Sequence, residues 1–293
     1  MERTGVMKTA AVNEKFVRAA LPKRDENGHK GDFGKAYVLA GSRGFTGAPT
    51  FTAKAAVRCG AGLVYLGVPE CVYAIEAIKN DEVMVSPLHC FDDGILSDLA
   101  VPAILGAVKD CGIVAAGPGL GRGAGVRAAV TALLKWSGKP LVLDADALFA
   151  VKDEKELLSN RKQLTVLTPH EGEFARLGYA GEADTREERA RRAAAELNCV
   201  VVLKGHETLT AFPDGTIFKN TTGNSGMAKG GSGDVLTGMI TALLAQGIAP
   251  EKAVPAAVWL HGRAGDIAAE RLGKYSMTPT DMLGFIPEAM KDY

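Results

Sequence analysis

The sequence predicts an α/β fold, a mainly parallel central sheet with helices on both faces. Three observations carry this. Short, continuously apolar runs rich in Val, Leu and Ala recur along the chain, as expected of strands buried on both sides. Each run ends in a glycine or a polar turn that leads toward a helical segment. The 35 glycines among 293 residues gather in those turns and form no low-complexity repeat.

The elements follow in order. Residues 1–34 are polar and form a lead-in with one short helix at about 13–20. Ala36 to Ala40 is a buried strand ending at Gly41. Pro49 is expected to start a helix, since the first helical position needs no N–H, and Gly60 to stop it after Cys59. Leu63 to Val68 is a second strand, with Pro69 opening the next helix. Ile113 to Ala116 feeds the turn Gly117-Pro118-Gly119-Leu120-Gly121, and Leu141 to Leu143 runs into Asp144-Ala145-Asp146. Leu164 to Leu167 precedes Thr168-Pro169-His170-Glu171-Gly172-Glu173, and Cys199 to Leu203 precedes Lys204-Gly205-His206-Glu207-Thr208. Leu209 to Phe212 and Thr216 to Phe218 flank Pro213-Asp214-Gly215, a hairpin signal. The last 60 or so residues are mostly helical. With no linker or composition break, residues 1–293 are expected to form one domain.

Bulk composition removes several classes of function. The chain is 47% hydrophobic and 23% charged, an ordinary globular balance. Its 34 basic and 34 acidic residues cancel, which is not the basic footprint of a nucleic-acid binder. Cys59, Cys71, Cys90, Cys111 and Cys199 are scattered and contain no C-x-x-C, so neither a disulfide framework nor a zinc site is expected. No apolar run approaches the roughly 18 residues of a membrane span, and the N-terminus lacks a signal-peptide core. A cytoplasmic location is the expectation.

In open parallel sheets, ligands bind beyond the C-terminal strand ends. Here the polar and glycine-rich turns all follow strands or open helices. The most telling is Ala228-Lys229-Gly230-Gly231-Ser232-Gly233-Asp234. Behind it Val235, Leu236, Met239, Ile240, Leu243 and Leu244 mark one face of a helix that ends near Gly247, with Pro250 beyond. Backbone N–H groups at a helix start bind anions. Gly231, Ser232 and Gly233 could therefore hold phosphates, with Asp234 as a base and Lys229 adding positive charge. A plain helix cap explains the same residues. No G-x-x-x-x-G-K-[ST] occurs, and Gly117-x-Gly119-x-Gly121 lacks the G-x-G-x-x-G spacing. Lys204 and Thr208 are candidates for a phosphate or ribose, or for a solvated hairpin. Glu173 could order a magnesium ion through water, or serve only as a good third residue of a helix. Asp144 and Asp146 are weaker candidates for orienting magnesium or substrate. His261, inside an apolar helix, reads as a packing residue.

The motifs are more specific in series: HKGDFG (29–34), GSRGFTGAP (41–49), GPGLG (117–121), DADAL (144–148), TPHEGEF (168–174), KGHET (204–208) and NSGMAKGGSGD (224–234). Over about residues 12–290 this series resembles the NAD(P)H-hydrate dehydratases of the ribokinase-like superfamily. The resemblance implies a ribokinase-like three-layer sandwich. It implies removal of water from the S epimer of hydrated NADH or NADPH (NADHX, NADPHX) at the expense of a nucleotide, with Mg²⁺. Bacterial and archaeal members of the family mostly use ADP and eukaryotic ones ATP, so ADP is expected here.

It further implies that Lys204, Gly205, His206, Glu207, Thr208 and Gly233 contact the nucleotide. Ala48, Gly119 or Gly121, His170 and Asp234 are implied to line the hydrated-nicotinamide site. The sequence departs from the many sugar kinases that read N-x-x-E after T-P; here His170 replaces the Asn and Glu173 is kept. Many relatives carry a fused N-terminal epimerase domain. With fewer than 40 residues before the first strand, that epimerase is expected as a separately encoded partner. A homo-tetramer is the assembly that the resemblance implies. The alternative is a small-molecule kinase of the hydroxyethylthiazole or hydroxymethylpyrimidine type. A non-catalytic nucleotide sensor would keep the glycine loops but have no need of Asp234.

Overall fold

A computed structural model describes residues 9–181 and 184–293. Its strands are β1 (Thr9–Ala11), β2 (Lys35–Leu39), β3 (Leu63–Pro69), β4 (Met84–Leu88), β5 (Ile113–Ala116), β6 (Leu141–Leu143), β7 (Thr165–Leu167), β8 (Val200–Leu203), β9 (Leu209–Ala211) and β10 (Ile217–Lys219). They form one sheet in the order β1-β10-β9-β8-β7-β6-β5-β2-β3-β4. Every pairing is parallel except those of β9 with β8 and β10. The helices are α1 (Glu14–Ala20), α2 (Gly47–Arg58), α3 (Glu70–Lys79), α4 (Val101–Ala107), α5 (Ala124–Trp136), α6 (Asp146–Ala150), α7 (Lys155–Ser159), α8 (Glu171–Phe174), α9 (Arg186–Leu197), α10 (Ser232–Ala245), α11 (Pro250–Leu272) and α12 (Pro279–Met290).

Alternation along each strand divides the apolar residues between two cores. Ala36 and Val38 of β2, Ile113 and Ala115 of β5, and Val200 and Val202 of β8 pack with α1, α2, α10, α11 and α12. Tyr37 and Leu39, Val114 and Ala116, and Val201 and Leu203 pack on the other side with α4, α5, α6, α7 and α9. The sheet is thus covered on both faces, and the expected α/β class and mainly parallel sheet are what the chain adopts.

The differences have physical causes. β1 lies in the polar lead-in and is exposed throughout, while β4 carries Pro87 and is mostly exposed. Both are edge strands, which need no buried apolar run and tolerate proline. Pro49 is the third residue of α2 rather than its first. The first turn of a helix has no intrahelical partner for its N–H groups, so proline fits there too. The one-face pattern expected for α10 understates its burial, because Val235 to Leu243 is buried all round. α10 lies between the sheet and the other helices. A Cβ at Gly238 would stand 2.1 Å from the Thr52 carbonyl oxygen, so only glycine permits this approach to α2. No helix among the described residues is long and apolar enough to cross a membrane.

Because β2, β5, β6, β7 and β8 run parallel as neighbours, their C-terminal ends share one edge of the sheet. The loop at Gly41, the GPGLG turn, Asp144, His170 and Lys204 all begin there.

Candidate active site

The GGSGD turn opens α10. Gly231 caps the helix at φ +107°, a conformation glycine adopts freely, and a Cβ there would come within 2.7 Å of the Phe51 ring. Ser232, Gly233 and Asp234 are the first three helical residues, so their N–H groups lack intrahelical partners; that of Ser232 donates to the Lys229 carbonyl oxygen at 3.3 Å, which leaves those of Gly233 and Asp234 to a ligand. His261 holds this turn from beneath. Its Nε2 lies 2.8 Å from the Ser232 carbonyl oxygen, and burial lowers its pKa to about 4. The imidazole is therefore neutral and donates that bond. The packing role expected for His261 is correct, with a specific partner added. The Lys229 ammonium donates to the carbonyl oxygens of Tyr275, at 2.7 Å, and Met277. It keeps its charge beside the turn and also ties the turn to the segment before α12.

The cation at the site is Lys204, just past the end of β8. Its Nζ donates to Asp144 Oδ1 at 2.8 Å and lies 3.9 Å from Glu173 Oε2. A Cβ at Gly233 would approach that Nζ within 3.3 Å, so the ammonium sits directly against the GGSGD turn. Burial disfavours its charge, but Asp144, Glu173 and Asp234 outweigh burial and raise its pKa. Asp144 is buried, and its second oxygen accepts from Thr237 Oγ1 at 2.8 Å.

Asp234 is the perturbed group of this cluster. Burial and then the neighbouring Asp144 charge push its pKa up to about 7, with smaller contributions from Glu173 and Asp146 and opposition from Lys204. A carboxylate poised near neutrality in a cleft suits a general base. Between the two aspartates of DAD, Ala145 adopts φ +49° and ψ −117°. Strain of this kind at a non-glycine residue gathers at functional sites.

His170 and Glu173 form a reciprocal cap at the start of α8. His170 Nδ1 accepts from the N–H groups of Gly172 and Glu173 at 3.0 and 3.3 Å, and Glu173 Oε2 accepts from the His170 N–H at 2.9 Å. The imidazole Nε2 stands 3.5 Å from Glu173 Oε1. Glu173 is thus a helix-capping residue that also faces Lys204. The TPHEGEF and KGHET segments are joined through the Lys204 N–H, which donates to the Pro169 carbonyl oxygen at 2.8 Å. Within KGHET, Thr208 Oγ1 closes the turn on the backbone of Gly205. His206 is exposed, and the Glu207 carboxylate pairs with Lys219 of β10 at 2.6 Å.

The remaining candidates meet at the ends of β2 and β5. A Cβ at Gly119, whose φ is +62°, would be 3.0 Å from the Ala48 Cβ, so these two positions touch. Gly41 donates to the Pro118 carbonyl oxygen at 2.9 Å, and Ser42 Oγ to that of Gly119 at 2.8 Å. The Gly121 N–H donates to Asp146 Oδ2 at 2.8 Å, which links this corner to the carboxylates. A cavity of about 60 Å³ opens beside them, lined by Arg122, Asp146, Phe149, Glu173 and Arg176 among others. Sequence reasoning missed Thr237 as an Asp144 partner and underrated Asp144.

Comparisons with known proteins identify the family. A family model described as NAD(P)H-hydrate dehydratase matches residues 36–288. An ADP-dependent (S)-NAD(P)H-hydrate dehydratase of Bacillus subtilis is 35% identical over 283 residues, covering 96% of this chain and 97% of that one. A solved structure of an ADP/ATP-dependent NAD(P)H-hydrate dehydratase from Bacillus subtilis, co-crystallised with ATP/Mg²⁺, has a TM-score of 0.82 at 33% identity, covering 98% and 99% of the two chains. The chain spans about half the length of other curated relatives it matches. One is the bifunctional NAD(P)H-hydrate repair enzyme Nnr of Moorella thermoacetica, 42% identical over 280 residues, or 94% of this chain and 53% of that one. The fold is the ribokinase-like one, and the chain belongs to the NAD(P)H-hydrate dehydratase family.

Proposed function

We propose that this protein restores NADH and NADPH from their S-configured hydrates, using ADP and releasing AMP and phosphate. The observation that carries this is Asp234, a base poised near neutrality within the first turn of α10, beside the Lys204 ammonium. The name of the Bacillus subtilis relative supports ADP as the nucleotide and the S epimer as the substrate.

Hydroxide is a poor leaving group, so the hydroxyl at C6 of the hydrate must first be converted into a better one. Asp234 takes the hydroxyl proton, and the oxygen attacks the terminal phosphorus of ADP. A new P–O bond forms and the bond to AMP breaks. The N–H groups of Gly233 and Asp234 stabilise the charge on the transferring phosphoryl group, where positioning and electrostatics supply most of the catalysis. The C6–O bond then breaks as inorganic phosphate leaves, driven by the lone pair of the ring nitrogen. Loss of a proton from C5 restores the ring double bond. Lys204, Gly205 and Thr208 hold the nucleotide, with His206 and Glu207 at the rim of that turn. Ala48, Gly119, Gly121 and His170 line the pocket of the hydrated ring.

Magnesium fits the residues present. Asp144, Asp146 and Glu173 all act on the charge of Asp234, with the Lys204 ammonium among them. Among the described residues, no three His, Cys, Asp or Glu side chains form a ready metal cage. Mg²⁺ retains several waters and takes few protein ligands, so Glu173 is the residue to hold it through water. When bound, the ion neutralises charge on the nucleotide phosphates.

The test is incubation with hydrated NADH, Mg²⁺ and either ADP or ATP, following recovery of the reduced-nicotinamide absorbance together with phosphate release. Recovery with stoichiometric free phosphate is expected. A stably phosphorylated product without recovery would instead identify a small-molecule kinase of the same superfamily.

A further inference from the structure

The KGHET turn carries a feature that nucleotide binding alone does not explain. The guanidinium of Arg186, the first residue of α9, lies flat against this turn. Its Nη1 donates to the His206 carbonyl oxygen at 2.8 Å and to that of Glu207 at 3.5 Å. Its Nη2 donates to the carbonyl oxygens of Leu203, at 3.2 Å, and Lys204, at 3.5 Å. The remaining Nε is bonded to Glu171 Oε1 at 2.7 Å. One planar cation thus gathers the last carbonyl of β8, three carbonyls of the turn and a carboxylate from the start of α8, and α8 begins directly after His170.

Two backbone facts show that the turn is held in this shape. Gly205 has φ +153°, and a Cβ there would come within 3.0 Å of Arg186 Nη2, so glycine lets the guanidinium seat itself. Glu207 has φ +56°, a left-handed conformation that a non-glycine residue rarely adopts. Such a turn needs an external partner to keep it so. A lysine cannot substitute geometrically, because an ammonium is a point donor and cannot span the same fork.

We propose that Arg186 is a positioning residue for the nucleotide. It fixes the KGHET turn in its binding conformation. Glu171 is also held by Arg189 Nη1 at 3.1 Å, so the helix start beside His170 stays anchored without Arg186, and Arg186 acts on nucleotide affinity and not on the hydrate. This rests on the assignment of KGHET to the nucleotide made above.

The test compares wild type, Arg186→Gln and Arg186→Lys. ADP binding is measured by calorimetry, KM and kcat for both substrates by the absorbance assay, and Tm by thermal melting. Losing a charged donor to several carbonyls is expected to weaken ADP binding and raise the ADP KM about tenfold in Arg186→Gln. The hydrate KM and kcat should stay within about twofold, since neither contact is altered. Arg186→Lys keeps the charge and the fold and should recover only part of the ADP affinity. The proposal is overturned if ADP affinity is unchanged in Arg186→Gln, if both KM values rise in equal proportion with a lower Tm, or if lysine restores ADP affinity fully. Wild-type protein that binds no ADP in calorimetry overturns the nucleotide assignment itself, an outcome visible before any variant is made.

Discussion

Asp234→Asn separates stability from activity, and the two effects have opposite signs. The carboxyl is displaced from its ordinary 3.8 to about 7, chiefly by burial and the Asp144 charge. At 1.36 kcal/mol per pH unit, that displacement corresponds to about 4 kcal/mol when Asp234 is charged in the folded chain. Below about pH 4 it is protonated whether folded or unfolded, so the substitution changes little. As pH rises toward 7 the unfolded carboxyl ionises freely while the folded one resists, and the native state loses stability relative to a neutral amide. Above pH 7 the difference is complete. The side chain is partly solvated, which reduces the gain to about 2–4 kcal/mol. Asn also forfeits a favourable charge in the first turn of α10, about 0.3–1 kcal/mol.

The net expectation at pH 8 is a stabilisation of about 1–3 kcal/mol, or a Tm higher by roughly 2–5 °C at this chain length. Turnover should fall by about 10²–10⁴-fold, the usual contribution of a general base. Thermal melts at pH 4 and pH 8, paired with the absorbance assay, read both quantities on the same preparation. An Asn variant that is no more stable than wild type at pH 8, or equally stabilised at pH 4, would refute the electrostatic account. Full retained activity would refute the base.

The sequence carried the sheet because its central strands are buried on both faces, and burial of that kind writes itself as unbroken apolar runs such as Val200 to Leu203. It carried most of the site because a parallel sheet brings every strand-end motif to one edge. Asp234, Gly233, Lys204 and Glu173 could therefore be grouped without coordinates. What it did not carry depends on distance across the fold. Lys229 and Lys204 are both lysines beside glycines, yet only the structure shows the first bonded to Tyr275 and Met277 and the second to Asp144. Thr237 and Arg186 lie outside any strand-end motif, so nothing local marks them. The edge strands β1 and β4 were illegible for the converse reason: exposure removes the apolar pattern that a reading by periodicity requires.

Three further outcomes follow from the same cluster. In wild type, kcat/KM should rise with pH through about 7 and be lost as pH falls, since Asp234 acts as a base only when ionised and this parameter reports the free enzyme. Gly231→Ala forces a side chain to φ +107° and against the Phe51 ring, so a loss of about 2–3 kcal/mol in urea unfolding and a weakened ADP affinity are expected; an unchanged unfolding midpoint would contradict the turn geometry. Lys204→Gln tests the balance of charges directly. Lys204 is the only named influence that lowers the Asp234 pKa, against burial and three carboxylates that raise it. Removing it should move the acidic limb of the kcat/KM profile upward by about one pH unit or more, beyond any loss of nucleotide affinity. A profile that keeps its limb near 7 while only the ADP KM rises would mean that Lys204 serves the nucleotide alone, and that some other group sets the protonation of Asp234.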